Sequence, residues 1–134
     1  MSNPHNVKLD RDTDALQQLA LDMGRLAEAI LEKSLHSVWE LDAKLAAKVK
    51  QDDLSIDRLD LAIDDAVLRV LALDAPVARD LRLVVAVKSI ATDLERVGDL
   101  ARNIASCAKR LASQPEFPIP EGLRKLAANS RAIL

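Results

Sequence analysis

The chain has 134 residues, enough for one domain with a modest core. Hydrophobic residues make up 49% and charged residues 30%, which is a folded composition rather than a disordered one. The net charge of −2 leaves no basic footprint for nucleic acid, and the single cysteine, Cys107, excludes an intrachain disulfide and fits a reducing compartment.

Only two aromatics occur, Trp39 and Phe117, so Ala and Leu are expected to fill the core, which favours packed helices over a β-sandwich. Residues 1–11 are polar, contain Pro4 and read as a flexible tail. A first helix is expected from Asp12 or Thr13 to about Glu40. Its positions Leu16, Leu19, Met23, Leu26 and Ile30 keep a three-four spacing that then slips by one to Leu31, Leu35 and Val38.

Asp42 is placed to cap a second helix. The seam of that helix reads Val49, Asp52, Ile56, Leu59, Ile63, Ala66, Val70 and Leu73. Asp74-Ala75-Pro76 breaks it, and Pro76 suits the first turn of a third helix. The third seam alternates threes and fours through Val87, Ile90, Leu94, Val97, Ala101, Ile104, Ala108 and Leu111. Connections this short make neighbours antiparallel. The expected fold class is therefore all-α, an up-down-up three-helix bundle over residues 12–112.

Residues 113–120, SQPEFPIP, hold three of the five prolines and form a linker. Residues 121–134 resume an amphipathic pattern with Leu123, Leu126 and Ile133, then stop, as the incomplete start of a second helical unit. Covering that apolar start with another subunit would make the protein a homodimer. No run is long enough to span a membrane and the N-terminus has no apolar signal core, so a cytoplasmic location is expected.

The chemistry worth weighing is acidic. Asp53, Asp57, Asp60 and Asp64 share one face of the second helix, and Glu95 and Asp99 stand four apart on the third. Asp57 and Asp53 lie 18 and 22 residues before the turn near residue 75, and Glu95 and Asp99 lie 20 and 24 after it. In an antiparallel pair those four reach the same level, within about 3 Å along the axis. Asp60 and Asp64 fall nearer the turn and are weaker candidates. Four converging carboxylates make a hard, oxygen-rich site for a cation, here on the outside of the bundle. The plainer reading is a solvated acidic face partly neutralised by Arg96 and Arg102.

Gly98 sits between Glu95 and Asp99 in mid-helix, where it costs about 1 kcal/mol relative to Ala. It lets a neighbouring helix, or a bound ion with its waters, come close, and its place beside the seam residue Val97 favours the helix. Arg79, Asp80 and Arg82 occupy the first turns of the third helix and read as surface charges for pairing or partner contact. The two histidines, His5 and His36, have no partner at ligand spacing, which argues against a di-iron oxidase. No phosphate loop and no nucleophilic triad occur, so no enzyme activity is expected.

The run APVARDLRLVVAVKSIATDLERVGDLARNIA, Ala75 to Ala105, resembles the PhoU family of bacterial phosphate-signalling regulators, as does the preceding DDLSIDRLDLAIDDAVLRVLAL. The match extends over about residues 13 to 112. The resemblance implies an all-α, non-enzymatic negative regulator of phosphate uptake and phosphate-starvation signalling. It implies protein-protein binding at the cytoplasmic face, between the ATPase of a phosphate ABC transporter and a sensor histidine kinase. It also implies that iron, zinc, manganese or nickel ions could sit on acidic motifs, matched here by Asp53-x-x-x-Asp57 and Glu95-x-x-x-Asp99. The family has two bundles. Here the second stops about 14 residues into its first helix, so the chain reads as a fragment or as a one-bundle relative. The alternatives to the regulator are a metal-binding helical protein using the carboxylates and a plain helical dimerisation module.

Overall fold

The computed structural model describes residues 4–114 and 118–134. Residues 1–3 of the expected tail and 115–117 of the expected linker, Phe117 among them, lie outside the described residues. Four helices follow in order: α1 (Pro4–Trp39), α2 (Ala43–Asp74), α3 (Ala78–Leu111) and α4 (Glu121–Ile133). The first three pack on one another as an antiparallel bundle, and the described residues contain no strand. The all-α reading holds.

The helix ends follow local chemistry. Asp42 caps α2 as expected, its carboxylate accepting from the backbone N–H of Lys44 at 2.8 Å and of Leu45 at 3.0 Å. Those bonds, the one from Leu45 foremost, hold its pKa below the usual aspartate value. Ala75 ends α2 in the left-handed region, at φ 42° and ψ 56°, and Pro76 follows.

The start of α1 corrects the sequence reading. Residues 4–11 are helical where a tail over residues 1–11 was expected. Pro4 is tolerated in a first turn, where its missing N–H has no intrahelical partner to lose. The turns that follow are anchored: Leu9 packs on the core edge, and Lys8 Nζ reaches Asp74 Oδ1 at 2.6 Å across the bundle. Thr13 is buried, its hydroxyl donating back to the carbonyls of Leu9 and Asp10 at 2.9 Å each.

The core is more β-branched and smaller than composition suggests. On α2, Val49, Ile56, Ile63 and Val70 form a buried row with a period of seven. Full burial of such side chains is worth about 1.5–3 kcal/mol each. Opposite them α3 presents Val84, Val87, Ala91, Leu94, Gly98, Ala101, Ala105 and Ala108. Half of the expected α3 seam is thereby displaced. Val87, Leu94, Ala101 and Ala108 are buried as read, but Ile90 is exposed, and Val97 and Ile104 sit at the side of the contact. On α2 the buried position is Asp53, with Asp52 half-buried, and Leu73 faces solvent. The cause is size: alanine and glycine on α3 let the helices approach closely, so the large residues beside them flank the seam.

The short α4 lies against the end of α1. Ala127 is buried, Arg131 pairs with Glu32 at 3.1 Å, and the Arg124 guanidinium stacks 4.7 Å from the Trp39 ring. It is thus partly covered by this chain itself. Leu126 and Ile133 remain exposed.

Candidate functional site

The acidic faces of α2 and α3 meet as expected, but in layers that cations divide. Nearest the α2–α3 turn, Lys88 Nζ lies 2.5 Å from Asp64 Oδ1 and 3.2 Å from Asp60 Oδ1. Those contacts, with Asp64 first, raise the Lys88 pKa. Furthest from the turn, Arg102 forks between the helices. Its Nη1 donates to Asp53 Oδ2 at 2.8 Å and its Nη2 to Asp99 Oδ1 at 2.5 Å. Asp57 and Glu95 lie between. Lys88, Glu95 and Arg102 stand seven apart on α3, so one helical face presents a cation, an anion and a cation in turn.

Asp53 is the buried member, with 2% of its surface exposed. It can be there because Gly98 is opposite: a Cβ on Gly98 would stand 2.6 Å from Asp53 Oδ1 and 2.9 Å from Ile56 Cδ1. Gly98 therefore serves the close approach of α2 to α3. Burial raises the Asp53 pKa, Arg102 opposes that shift, and the nearby charges of Asp57 and Asp99 add to it. Glu95 is half-buried and has no cationic partner among the described residues. Its pKa is raised, first by desolvation and then by Asp99, Asp57, Asp60 and Asp53. That Glu95 feels all four aspartates is the electrostatic counterpart of the predicted convergence.

The convergence stops short of a metal cage. Among the described residues no three His, Cys, Asp or Glu side chains are disposed to hold an ion together. The guanidinium of Arg102 occupies oxygens of both Asp53 and Asp99, and Lys88 occupies Asp60 and Asp64. With the side chains so placed, the cluster does not fit an iron, zinc, manganese or nickel ion. Sequence reasoning named Arg102 only as one of two possible neutralisers and passed over Lys88. Their seven-residue spacing from Glu95 was the available signal. Arg96, the other neutraliser named, is exposed and makes no ion pair among the described residues.

Arg79, Asp80 and Arg82 occupy the bundle end formed by the α2–α3 turn. Arg79 and Arg82 are exposed, Asp80 is half-buried, and none makes a side-chain ion pair among the described residues. Near them in sequence Leu73, Val77 and Leu81 are also exposed, so the turn end carries apolar side chains as well as two guanidiniums. At the far end an apolar groove of about 470 Å³ runs between α1, α3 and α4, with Leu35, Trp39, Leu100, Ile104, Cys107 and Leu126 in its wall.

Residues 20–108, which carry α2, the glycine contact and the charged layers, match the family model described as PhoU domain. The chain belongs to the PhoU family. The resemblance drawn from Ala75 to Ala105 is borne out. The chain is 34% identical over 130 residues to a phosphate-specific transport system accessory protein PhoU homolog from Burkholderia sp, covering 95% of this chain and 55% of the relative. It is 39% identical over 125 residues to a PhoU homolog of the same description from Xylella fastidiosa (strain Temecula1 / ATCC 700964), covering 92% and 52%. It is 28% identical over 127 residues to the phosphate-specific transport system accessory protein PhoU of Escherichia coli (strain K12), covering 95% and 53%. This PhoU-family chain therefore spans about half the length of the curated relatives it matches. Among the described residues no helix is long and apolar enough to cross a membrane.

Proposed function

We propose that this chain is a cytoplasmic negative regulator of phosphate uptake and phosphate-starvation signalling that acts by protein binding, without catalysis. The observation that carries the reading is the match to phosphate-specific transport system accessory proteins over nearly the whole chain. Its partners in this reading are the ATPase of a phosphate ABC transporter and the sensor histidine kinase. The turn end, which carries Leu73, Val77 and Leu81 as well as Arg79 and Arg82, has the composition of a docking surface, exposed apolar side chains together with arginine. The test is a pull-down at micromolar concentration with a full-length relative as control. Retention of either partner that is lost in Arg79→Glu/Leu81→Asp supports the reading. If the control retains them and this chain does not, the reading fails for this chain.

A second reading is favoured by one observation: Glu95 is a half-buried carboxylate among four aspartates with no cation of its own. In this reading a divalent or ferric ion binds beside Glu95 after Arg102 swings out of the cluster. Elemental analysis of protein purified without chelator decides it. Near-stoichiometric metal that vanishes in Glu95→Gln/Asp99→Asn supports it, and metal-free wild type rejects it.

A further inference from the structure

Asp74, the last residue of α2, is a carboxylate shut inside one end of the bundle. Its side chain is 2% exposed, and among the described residues its Oδ2 has no hydrogen-bond partner. Its Oδ1 accepts from Lys8 Nζ, which also lies 3.4 Å from Asp12 on its own helix. A sealed carboxylate is costly to leave without a cation. Among the described residues, Lys8 is the cation that answers Asp74.

The turn that follows Asp74 is itself unrelaxed. Ala75 and Ala78 both have positive φ, 42° and 47°, a region in which Cβ crowds the following carbonyl. Pro76 between them is buried, and Val77 leads into α3 with no side-chain cap. Backbone of this kind persists only where its surroundings hold it. The Lys8 bridge reaches it from 66 residues away.

We propose that the first turns of α1 are a strap on the α2–α3 turn, closed by the Lys8–Asp74 bridge and opened from the Lys8 side. The two ends of the bridge differ in access. The Lys8 side chain is 52% exposed, so an external anion can take its ammonium, whereas Asp74 is sealed against an external cation. The bond to Asp74 raises the Lys8 pKa, so the strap opens by competition for the charge rather than by its loss near neutral pH. Once Lys8 leaves, Asp74 has to turn to water, and the end of α2 and the start of α3 loosen with it. Arg79 and Arg82, proposed above as partner contacts, sit on the stretch of α3 that the strap governs. Strap opening is measured without a partner and is independent of that contact.

Amide hydrogen exchange of the intact chain tests the proposal. In Lys8→Met, residues 8–13, 70–74 and 82–86 are expected to exchange faster together, each by about tenfold or more, while the amides around Ile56 and Ile63 stay within about twofold of wild type. Lys8→Arg, which keeps the charge, exchanges as wild type does. Raising sodium chloride from about 0.05 to 1 M speeds the same three segments in wild type and leaves them unchanged in Lys8→Met. Acceleration confined to residues 8–13 is the fraying of a helix end and overturns the proposal, as does acceleration spread evenly over the core. Wild-type exchange at the turn that is indifferent to salt overturns it as well, even if Lys8→Met fails to fold.

Discussion

Gly98 of α3 faces the carboxylate of Asp53 on α2 so closely that a Cβ would stand 2.6 Å from Oδ1. The buried aspartate and the glycine each explain the other. Asp53 needs a site where its charge can be met, and Arg102 meets it from one turn further along α3. Gly98 clears the space in which the two helices and that ion pair fit together.

Gly98→Ala should therefore destabilise the protein although alanine is the better helix former. The propensity gain is about 1 kcal/mol. Against it stand overpacking on Ile56 Cδ1 at 2.9 Å and displacement of a buried, ion-paired carboxylate. A net loss of about 1–2 kcal/mol is expected, read as a lower midpoint in urea. An unchanged or raised midpoint would mean that α2 and α3 separate freely.

Removing the arginine exposes the same dependence from the other side. Arg102→Met strands Asp53 as a buried carboxylate, with an expected cost of about 1–3 kcal/mol. Arg102 is itself partly exposed, which keeps the figure below that of a fully buried pair. Asp53→Asn/Arg102→Met should recover part of the loss. The coupling from the double-mutant cycle is expected at about 1–2 kcal/mol. A coupling near zero would reduce the bridge to an ornament of the surface.

Glu95 gives a pH signature of defined sign. Its folded pKa is raised, so the folded state holds its proton more tightly than the unfolded chain does. Stability on this account falls as pH climbs from the ordinary glutamate range through the raised value, and is flat beyond. Glu95→Gln removes the penalty. The variant should be more stable than wild type at neutral pH by about 0.5 kcal/mol, a like-charge figure for a helix surface. The difference should fade as pH drops below the ordinary range. Urea melts of both proteins at pH 7 and pH 4 measure it. A variant less stable at pH 7 would show that Glu95 has a cationic partner in solution.

Ala75 closes α2 with its backbone in the left-handed region, where a Cβ costs about 1–2 kcal/mol. Ala75→Gly relieves that strain and gives back some through the freer unfolded chain. A net gain of about 0.5–1 kcal/mol is expected, visible as a higher thermal midpoint. No gain would mean that the α2–α3 turn relaxes around alanine at little cost.

Most of the architecture was legible because it depends on periodicity and punctuation. Asp42, Pro76 and the proline-rich stretch before α4 mark helix boundaries that the structure keeps. The first turns of α1 were illegible because their anchor is not local: Lys8 is fixed by Asp74, 66 residues away. The α3 seam was half legible for a different reason. Hydrophobic periodicity weights isoleucine and valine above alanine, whereas close helix packing selects the small residues, so Ala91 and Ala105 were passed over for Ile90 and Ile104, while Gly98 was read as a point of close helix approach and is one. At the acidic cluster, depth counting brought the carboxylates to one level. It could not show that Arg102 and Lys88 reach across to divide them, because that depends on side-chain reach and rotamer rather than position along the axis.

Cys107 is exposed, is the only cysteine in the chain, and lines the apolar groove between α1, α3 and α4. A maleimide dye attached there would have a single address, with no competing thiol to block first. Its emission colour would report the dryness of the groove directly, shifting blue when an apolar surface closes over it. The same molecule thus carries its own built-in position for an optical reporter of whatever seats at that end of the bundle.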